Sequence, residues 1–468
     1  MTDAQWLNSA LLAVLKHRAD PQQDRHRPGW HLSPPAGLLN DPNGFIQING
    51  VWHLFYQWNP LACAHGAKCW GHWCSQNLVD WTQQPVALVP SGEYESHGCY
   101  SGSAIEHQGE LILFYTGNVK MEHSRTAWQC MATVSENGDV LKTGPVFALP
   151  EGYSGHVRDP KVWQHGDRWY MVLGAQNLAG EGKILLCHST TLTEWQLLGE
   201  IAGSHLNGLG DFGYMWECPD LFPLGGKDIL LTCPQGLAAK EKAWLNTFQS
   251  GYFIGELDYQ AVTYRHGEFY ELDQGFEFYA PQTTLSQDGR RLMFGWMGLP
   301  DENEFYQPTL AQGWIHIMTC PRELTLEQGK LMQRPARELQ RLRKMHTHLE
   351  NVAGLLPELD VSQAEIAINV GGNWSASFAN VMRLECDEEG LTLSRVNLRS
   401  GEEEKRYWRG RVNHVQMLCD RSSVEIFINQ GEGVMSGRYF PQSTPTLSWQ
   451  GKGPLKVDYW QLESAMID

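Results

Sequence analysis

Short apolar runs typical of β-strands recur at a nearly constant interval along the first two-thirds of the chain. From one run to the next, the apolar centres lie about 57 to 63 residues apart. The five runs are Trp52–Gln57, Leu111–Gly117, Trp169–Gly174, Asp228–Cys233 and Arg291–Trp296. A repeating unit of this length has room for about four strands, as in one blade of a β-propeller. The interval therefore predicts a five-bladed β-propeller over residues 28–335.

The hydrophobic pattern changes after this region. A polar, basic segment with helical character covers Arg334–His348, and from about Ile366 onward short segments alternate between apolar and polar residues. Such alternation is typical of strands that bury one face. We therefore expect a linker at residues 336–356 and a β-sandwich domain at residues 357–468.

A short extension precedes the repeats. Its apolar residues have the spacing of an amphipathic helix, and they are Trp6, Leu7, Leu11, Leu12 and Leu15. The segment lacks the basic start and the small-residue cleavage site of a signal peptide. We expect residues 1–27 to be a helical extension that docks on the body of the protein or mediates assembly, and the number of subunits stays open.

Composition supports the all-β class that the pattern predicts. The chain has 468 residues, of which 42% are hydrophobic and 11% aromatic, so it can bury at least one large core. Its 47 glycines, 23 prolines and 19 tryptophans favour many short strands joined by tight turns.

Charge and cysteine content narrow the classes of partner. A formal net charge of -17 disfavours binding to nucleic acid or to an anionic membrane, because both would be repelled. No run approaches the roughly 18 apolar residues of a membrane span. The 11 cysteines are odd in number and lie in apolar runs, which favours a reduced, cytoplasmic location. The partner we expect is a small neutral molecule.

Three short motifs carry candidate carboxylates. They are N-D-P-N-G with Asp41, R-D-P with Asp159, and E-C-P with Glu217. Each motif alone is an ordinary turn. Because the inner strands of propeller blades converge on one channel, the three carboxylates can meet there. Trp216 and Phe222 flank Glu217, and this apolar setting predicts a raised pKa, as a general acid needs.

A metal site is a competing hypothesis. His65, Cys69, His72 and Cys74 are ligand types that zinc prefers. However, C-W-G-H-W-C reads as a strand, in which Cys69 and His72 point to opposite faces. We therefore predict neither a metal nor another cofactor.

The order of these motifs resembles glycoside hydrolase family 32. The resemblance also rests on H-L-S-P-P-A-G-L-L before Asn40, on Trp70–His72, Tyr100–Ser103, Tyr279–Thr283 and Gly295–Pro300, and on R-S-S-V-E-I-F at Arg421–Phe427. It implies a five-bladed propeller with the active site, followed by a β-sandwich that contains the last motif. The implied activity is that of a retaining β-fructofuranosidase, which acts on sucrose through a covalent fructosyl-enzyme intermediate.

The resemblance also implies roles for individual residues. Asp41 would be the nucleophile, Glu217 the general acid and base, and Asp159 the transition-state stabiliser that holds fructose hydroxyls. A retaining pair of carboxylates would lie roughly 5 Å apart. The implied fructose pocket is formed by Asn40, Gln57, Trp70, Tyr100, Ser101, Arg158, Tyr279 and Trp296.

Three positions depart from the family pattern. His65-Gly66 stands where relatives carry a Trp-Gly pair, Tyr100 replaces a phenylalanine, and Glu277 replaces an aspartate. We expect these changes to alter specificity or affinity rather than the chemistry.

The identity of the leaving sugar is less constrained than the chemistry. Sucrose, raffinose and sucrose 6-phosphate share the fructose end. Because only isolated Lys68, Lys120 and Arg125 supply positive charge, unphosphorylated sucrose is the favoured substrate. A fructosyltransferase or fructan hydrolase would use the same carboxylates, whereas a non-catalytic sugar-binding module would have lost Asp41 or Glu217.

Overall fold

The computed structural model describes residues 1–17, 24–66, 68–135, 137–350, 355–451 and 456–467. It begins with helix α1 (Asp3–His17). Thr2 starts the helix through a reciprocal cap: its backbone N–H donates to Gln5 Oε1 (2.9 Å), and its hydroxyl accepts from the Gln5 N–H (3.3 Å).

Helix α1 packs on the body of the protein through two residues. Trp6 and Ala10, one turn apart, are buried, and Trp6 packs against Cys69 and Val89. The four leucines of the amphipathic pattern are at least 40% exposed; these are Leu7, Leu11, Leu12 and Leu15. The helix therefore docks through one narrow stripe and leaves its leucine-rich face open.

The next three hundred residues form five separate sheets. The first contains β1 (Gly37–Ile48), β2 (Val51–Asn59), β3 (Cys69–Ser75) and β4 (Thr82–Leu88). The second contains β5 (Cys99–His107), β6 (Glu110–Lys120), β7 (Arg125–Val134) and β8 (Val140–Phe147). The third contains β9 (Tyr153–His165), β10 (Arg168–Asn177), β11 (Gly182–Ser189) and β12 (Gln196–Gly203). In all three, consecutive strands pair antiparallel.

The fourth and fifth sheets carry short additional strands. The fourth contains β13 (Met215–Leu224), β14 (Lys227–Gln235), β15 (Gly251–Asp258), β16 (Thr263–His266) and β17 (Tyr270–Glu271). The fifth contains β18 (Tyr279–Leu285), β19 (Arg291–Met297), β21 (Ile317–Met318), β22 (Arg322–Glu327) and β23 (Lys330–Pro335). Between β19 and β21 in sequence lies β20 (Trp314–Ile315), which joins the first sheet by pairing with β1 in parallel. Short 3-10 helices cover Glu93–Glu95, Glu302–Tyr306 and Pro308–Gln312.

The five sheets close into a ring. The first strand of each sheet contacts the first strand of the next, in the order β1, β5, β9, β13 and β18, and β18 contacts β1 again. Alternate side chains of one strand serve the two neighbouring sheets: Leu113 and Tyr115 pack towards the first sheet, whereas Ile112 and Phe114 pack towards the third. Both faces of a sheet are therefore covered, which is why its strands read as continuous apolar runs.

Two six-stranded sheets follow, and one shared hydrophobic core lies between them. Their strands are β24 (Arg343–Glu350), β25 (Leu355–Asp360), β26 (Gln363–Asn369), β27 (Trp374–Phe378), β28 (Met382–Cys386), β29 (Gly390–Val396), β30 (Glu403–Arg409), β31 (His414–Asp420), β32 (Ser423–Ile428), β33 (Gly433–Arg438), β34 (Thr446–Gly451) and β35 (Lys456–Leu462). The all-β class is confirmed. No helix in these described ranges is long and apolar enough to cross a membrane.

The segment between the two regions departs in part from its predicted character. A 3-10 helix covers Arg337–Leu342, but helical character is wrong for residues 343–348, because β24 pairs with β35 there. Of the expected linker at residues 336–356, residues 351–354 lie outside the described residues. Strand β24 lies at the edge of its sheet, where a mostly polar sequence is compatible with pairing.

Buried charges hold the C-terminal sheets against the ring. Arg322 donates to Glu425 (2.6 Å) and to Asp273 (3.1 Å), and all three side chains are 0% exposed. His31 lies between Asp420 and Glu425, with both distances 2.9 Å. Glu425 belongs to the R-S-S-V-E-I-F motif, so this motif joins the two regions of the chain.

Candidate active site

A β-bulge interrupts the first strand of every sheet in the ring. The pairing register shifts at Leu39/Pro42, at Tyr100/Gly102, beside Asp159, at Glu217/Asp220 and at Tyr279/Gln282. In four of the five sheets a proline lies in the bulge, and these are Pro42, Pro160, Pro219 and Pro281. Proline suits such positions because it has no N–H to contribute to the ladder. Each bulge re-aims the adjacent side chains.

Backbone strain marks three of these bulges. The φ angles of Asp159, Cys218 and Ala280 are 65°, 50° and 49°, in the left-handed region that residues with a Cβ rarely adopt. Equivalent bulges on neighbouring first strands explain how residues far apart in sequence meet. They also have a signature in the sequence: a proline recurs at the bulge in four of the five repeats.

One cavity of about 320 Å³ collects the candidate residues. Its lining includes Asn40, Asp41, Gln57, Tyr100, Ser101, Arg158, Asp159, Glu217, Tyr279 and Trp296. The sequence prediction did not assign several further lining residues, which are His65, Gly66, Lys68, Lys120, Arg125, Gln235, Phe248 and Pro300.

Asp41 is fixed by two hydrogen bonds. The Ser101 hydroxyl donates to Asp41 Oδ2 (2.5 Å), and the Asn40 side chain donates to Asp41 Oδ1 (3.0 Å). Burial raises the pKa of Asp41, and these two donors oppose the rise. Lys68 donates to Asn40 Oδ1 (2.7 Å), and burial lowers the pKa of Lys68 to about 7. Asp41 is therefore held by two donors, and no cation among the described residues pairs with it directly.

Glu217 has a different environment. Arg158 donates to Glu217 Oε1 through Nε (2.9 Å) and Nη2 (2.7 Å). Tyr279 (2.7 Å) and Gln235 (2.8 Å) donate to Oε2. Burial acts to raise the pKa of Glu217, but the charge of Arg158 and the hydrogen bonds from Tyr279 and Arg158 lower it below its usual value.

The predicted rise in the pKa of Glu217 is therefore wrong for the free protein. The prediction relied on Trp216 as an apolar neighbour of Glu217. The Trp216 side chain is instead fully buried in the core between the third and fourth sheets. The polar partners of Glu217 come from other strands, so its sequence neighbours did not reveal them. Gln235 was detectable in principle, because the Gly225-Gly226 turn pairs β13 with β14 and sets Gln235 opposite Met215.

Asp159 favours a proton more than Glu217 does. The backbone N–H of Cys218 donates to Asp159 Oδ2 (2.9 Å). Burial, together with the negative charge of Glu217, raises the pKa of Asp159 to about 7, although Arg158 opposes this. The three carboxyl groups share a small space and cannot all ionise freely. In the free protein the proton therefore favours Asp159 over Glu217.

Cys218 lies beside two of the three carboxylates. Its Sγ is 3.7 Å from Asp41 Oδ2 and 3.6 Å from Asp159 Oδ2. Its hydrogen bond with Cys233, together with burial, raises the pKa of the Cys218 thiol well above its usual value. The group is thus a neutral thiol in contact with two of the carboxylates.

Trp70 is the one predicted pocket residue that the structure places elsewhere. Its side chain is 0% exposed and packs with Phe55 and Tyr115 in the core between the first two sheets. Its indole N–H donates to the Tyr100 carbonyl (3.1 Å). Trp70 therefore does not line the cavity, whereas Tyr100 does.

The three departures from the family pattern have separate locations. His65 and Tyr100 line the cavity, and His65 Nε2 lies 3.3 Å from Glu304 Oε2. Glu277 instead pairs with Arg395 (2.5 Å) and accepts from the Arg438 backbone (2.8 Å), both in the C-terminal region. An effect on sugar recognition is therefore expected at the first two positions, whereas Glu277 joins the two parts of the fold.

The metal ligands proposed from sequence do not come together as a set. Among the described residues, the structure instead groups His53, His72 and Cys74. The His53 Nδ1 to His72 Nε2 distance is 3.1 Å, and Cys74 Sγ lies 3.4 and 3.3 Å from these atoms. Burial lowers the pKa of both imidazoles, so they are neutral and able to bind a soft divalent ion. None of the three residues lines the carboxylate cavity.

The cavity contains two carboxylates with contrasting environments, Asp41 and Glu217, and a third, Asp159, beside them. Its other lining groups are mostly amides, hydroxyls and aromatic rings. This combination is typical of the site of a glycoside hydrolase. Comparison with known families agrees. Residues 31–335 match the Glycosyl hydrolases family 32 N-terminal domain, and residues 380–460 match the family 32 C-terminal domain. The chain belongs to glycosyl hydrolase family 32.

Individual relatives are similar over nearly the full length. The chain is 53% identical to a sucrose-6-phosphate hydrolase of Salmonella typhimurium, with 99% of each chain covered. It is 45% identical to a sucrose-6-phosphate hydrolase of Bacillus subtilis, covering 98% of this chain and 99% of that one. A solved family 32 beta-fructofuranosidase of Bombyx mori, a mutant in complex with sucrose, is 32% identical with a TM-score of 0.87 and covers 100% of both chains.

Proposed function

We propose that this protein is a retaining β-fructofuranosidase that hydrolyses sucrose and sucrose 6-phosphate and releases fructose. The observation that carries the proposal is the meeting of Asp41 and Glu217 in one cavity, each with its own set of hydrogen-bond donors. The names of the relatives, which are sucrose-6-phosphate hydrolases and a β-fructofuranosidase, support the substrate class.

The proposal includes the architecture. The five sheets are the blades of a five-bladed β-propeller at residues 28–335, and the two six-stranded sheets form a β-sandwich at residues 357–468. The closed ring of first strands supports the first assignment, and the single core between the two later sheets supports the second. The reaction centre then lies where the inner strands of the blades converge.

In the first chemical step, Asp41 attacks the anomeric carbon of the fructosyl unit. The bond between that carbon and the bridging oxygen breaks, and Glu217 donates a proton to the departing oxygen. The product is a fructosyl ester of Asp41. In the second step, ionised Glu217 removes a proton from water, which attacks the same carbon and frees Asp41. Two inversions retain the configuration.

The remaining groups fit the recognition of one fructose unit. Asp159 is a proton donor or acceptor near neutral pH, so it can hydrogen-bond sugar hydroxyls in either state. Asn40 and Gln57 add amide groups, and Trp296 adds an aromatic surface.

Glu217 must hold a proton when the leaving group departs. In the free protein, Arg158 keeps it ionised. Sugar hydroxyls that compete for the Arg158 guanidinium weaken this ion pair and raise the pKa of Glu217. Substrate binding therefore makes Glu217 a proton donor. In the free protein it is the neighbouring Asp159 that favours the proton.

The test compares wild type with Asp41→Asn on sucrose, sucrose 6-phosphate and raffinose. We expect the variant to lose about 10⁴-fold or more in kcat on every substrate the wild type cleaves, while its thermal unfolding is retained. Asp167→Asn, at an exposed turn, is the matched control and should keep full activity. Near-normal turnover by Asp41→Asn would refute the nucleophile assignment. If oligosaccharides are the main product of the wild type at high sucrose concentration, the activity is fructosyl transfer rather than hydrolysis.

A further inference from the structure

Two cations stand directly opposite each other at the mouth of the carboxylate cavity. Lys120 ends β6 and Arg125 begins β7, and the two residues are cross-strand partners in the hairpin. Partners in an antiparallel pair project to the same face of the sheet. Both side chains line the cavity that contains Glu217.

This arrangement carries a structural cost. Like charges at directly opposed positions destabilise a strand pair. Within the residues that the structure describes, neither Lys120 nor Arg125 forms an ion pair with a carboxylate, whereas Arg158 in the same cavity pairs with Glu217. The pair is thus a local excess of positive charge in a chain whose net charge is -17.

Arg125 is held in place by neutral groups. Its Nη2 donates to Asn118 Oδ1 (2.5 Å), and its Nη1 lies 3.1 Å from His156 Nδ1. Burial, with the charges of Arg158 and Arg125, lowers the pKa of His156 to about 4, so this imidazole is neutral and accepts the hydrogen bond. The guanidinium lies over the Tyr100 ring at 5.9 Å. These contacts orient the charge without neutralising it.

Two further observations indicate that Arg125 is prepared for a ligand. Its Nε is buried and has no hydrogen-bond partner among the described residues. Gly155 leaves space for the side chain, since a Cβ there would lie 2.3 Å from Arg125 Cγ. A guanidinium that is held in place, has no carboxylate partner and has one N–H without an acceptor is well suited to bind an oxyanion.

The position of the pair assigns the anion to the leaving sugar. The same atom, His156 Nδ1, also lies 2.8 Å from Arg158 Nη1, so the two guanidinium groups share it as acceptor, and Arg158 contacts Glu217. Arg125 is therefore linked through His156 and Arg158 to Glu217, the carboxylate that protonates the departing oxygen. A group bound there belongs to the sugar that leaves and not to the fructosyl unit.

We propose that Lys120 and Arg125 form a clamp for the phosphoryl group of the leaving sugar and set the preference for a phosphorylated over a neutral fructoside. The inference rests on the proposed β-fructofuranosidase activity and deepens it. A phosphate monoester carries a charge of about -1.5 to -2 near pH 7, which matches two cations. Arginine offers a forked donor and lysine a compact charge, a combination suited to phosphate oxygens.

The expectation that neutral sucrose is the favoured substrate followed from the separation of these cations in sequence. The β6–β7 hairpin brings Lys120 and Arg125 side by side. Met121–Ser124 form only the turn, so residues five apart become neighbours across the strand pair.

The test measures kcat/KM for sucrose 6-phosphate and for sucrose on wild type, Lys120→Gln, Arg125→Gln and Arg125→Lys. We expect the ratio of the two values to fall about 10- to 100-fold in each glutamine variant, from the loss of charge-assisted hydrogen bonds. Arg125→Lys should retain part of the preference. His123→Gln, at the exposed tip of the same hairpin, should leave the ratio unchanged.

Ionic strength supplies an independent readout. Raising salt should lower kcat/KM for sucrose 6-phosphate more steeply than for sucrose in the wild type, and this difference should shrink in Lys120→Gln. An equal loss on both sugars, or no change in the ratio, would overturn the clamp while leaving the β-fructofuranosidase intact. If the wild type cleaves neither sugar, the proposed function falls and the clamp with it.

Discussion

The ion pair between Arg158 and Glu217 makes the protonation of the general acid depend on one neighbouring side chain. Both donors of Arg158 bind the same oxygen, Glu217 Oε1, and the two side chains are only 11% and 17% exposed. Replacing Arg158 by methionine preserves much of the volume of the aliphatic stem and removes both charge-assisted hydrogen bonds. Each such bond contributes about 1.5 to 3 kcal/mol.

The expected loss of stability depends on pH in a definite direction. In the wild type the lowered pKa of Glu217 contributes stability that is present above its unfolded pKa and is lost as pH falls through the folded pKa. In Arg158→Met, burial without a cation raises that pKa, so ionisation now opposes folding. The variant should be less stable by about 3 to 5 kcal/mol at pH 7.5, with the difference shrinking towards pH 4, where Glu217 escapes the penalty by binding a proton.

Denaturant unfolding of wild type, Arg158→Met and Arg158→Lys at pH 4.5 and 7.5 measures this effect. Arg158→Lys keeps the charge and should lose less at pH 7.5 than the methionine variant. In parallel, the alkaline limb of the pH profile of kcat/KM should move to higher pH in Arg158→Met, because a cation beside the carboxylates is gone. An equal loss of stability at both pH values, with an unmoved alkaline limb, would refute this account of Glu217.

Two further predictions concern other buried groups. Arg322→Met removes the guanidinium that pairs with Glu425 and should lower the free energy of unfolding by about 3 to 5 kcal/mol in urea titration. Arg265→Met, which alters an exposed pair, should change it by less than about 1 kcal/mol. Equal effects of the two substitutions would contradict a joining role for Glu425. An organomercurial should inhibit the wild type by modifying Cys218, because this thiol contacts two carboxylates. The Cys218→Ser variant should be largely resistant to the reagent. Full activity of the wild type after complete modification of Cys218 would contradict this prediction.

The hydrophobic pattern predicted the repeat well because each sheet in the ring is covered on both faces. Such strands appear as continuous apolar runs, for example Asp228–Cys233 in β14, and their interval counts the sheets. The convergence of the carboxylates on one cavity followed from the same regularity. The bulges that complete it depend on local backbone conformation, which the apolar periodicity does not contain.

Features that depend on distant partners were not predictable in this way. The pKa of Glu217 is set by Arg158 and Tyr279, which lie on other sheets, while its sequence neighbours pointed the other way. Trp70 has the residue type of a sugar platform, and only the strand alternation at the bulge places it in the core. Lys120 and Arg125 looked isolated until the register of one hairpin paired them.

The central claim is that Asp41 forms a covalent bond to the fructosyl unit. Incubating Glu217→Gln with β-fructosyl fluoride tests it most directly, because fluoride departs without needing a general acid and the variant lacks the base for the second step. Intact-mass measurement should show one added dehydrated fructose unit per chain, and peptide mapping should place it on Asp41. No added mass, or a label on Asp159 instead, would contradict the mechanism.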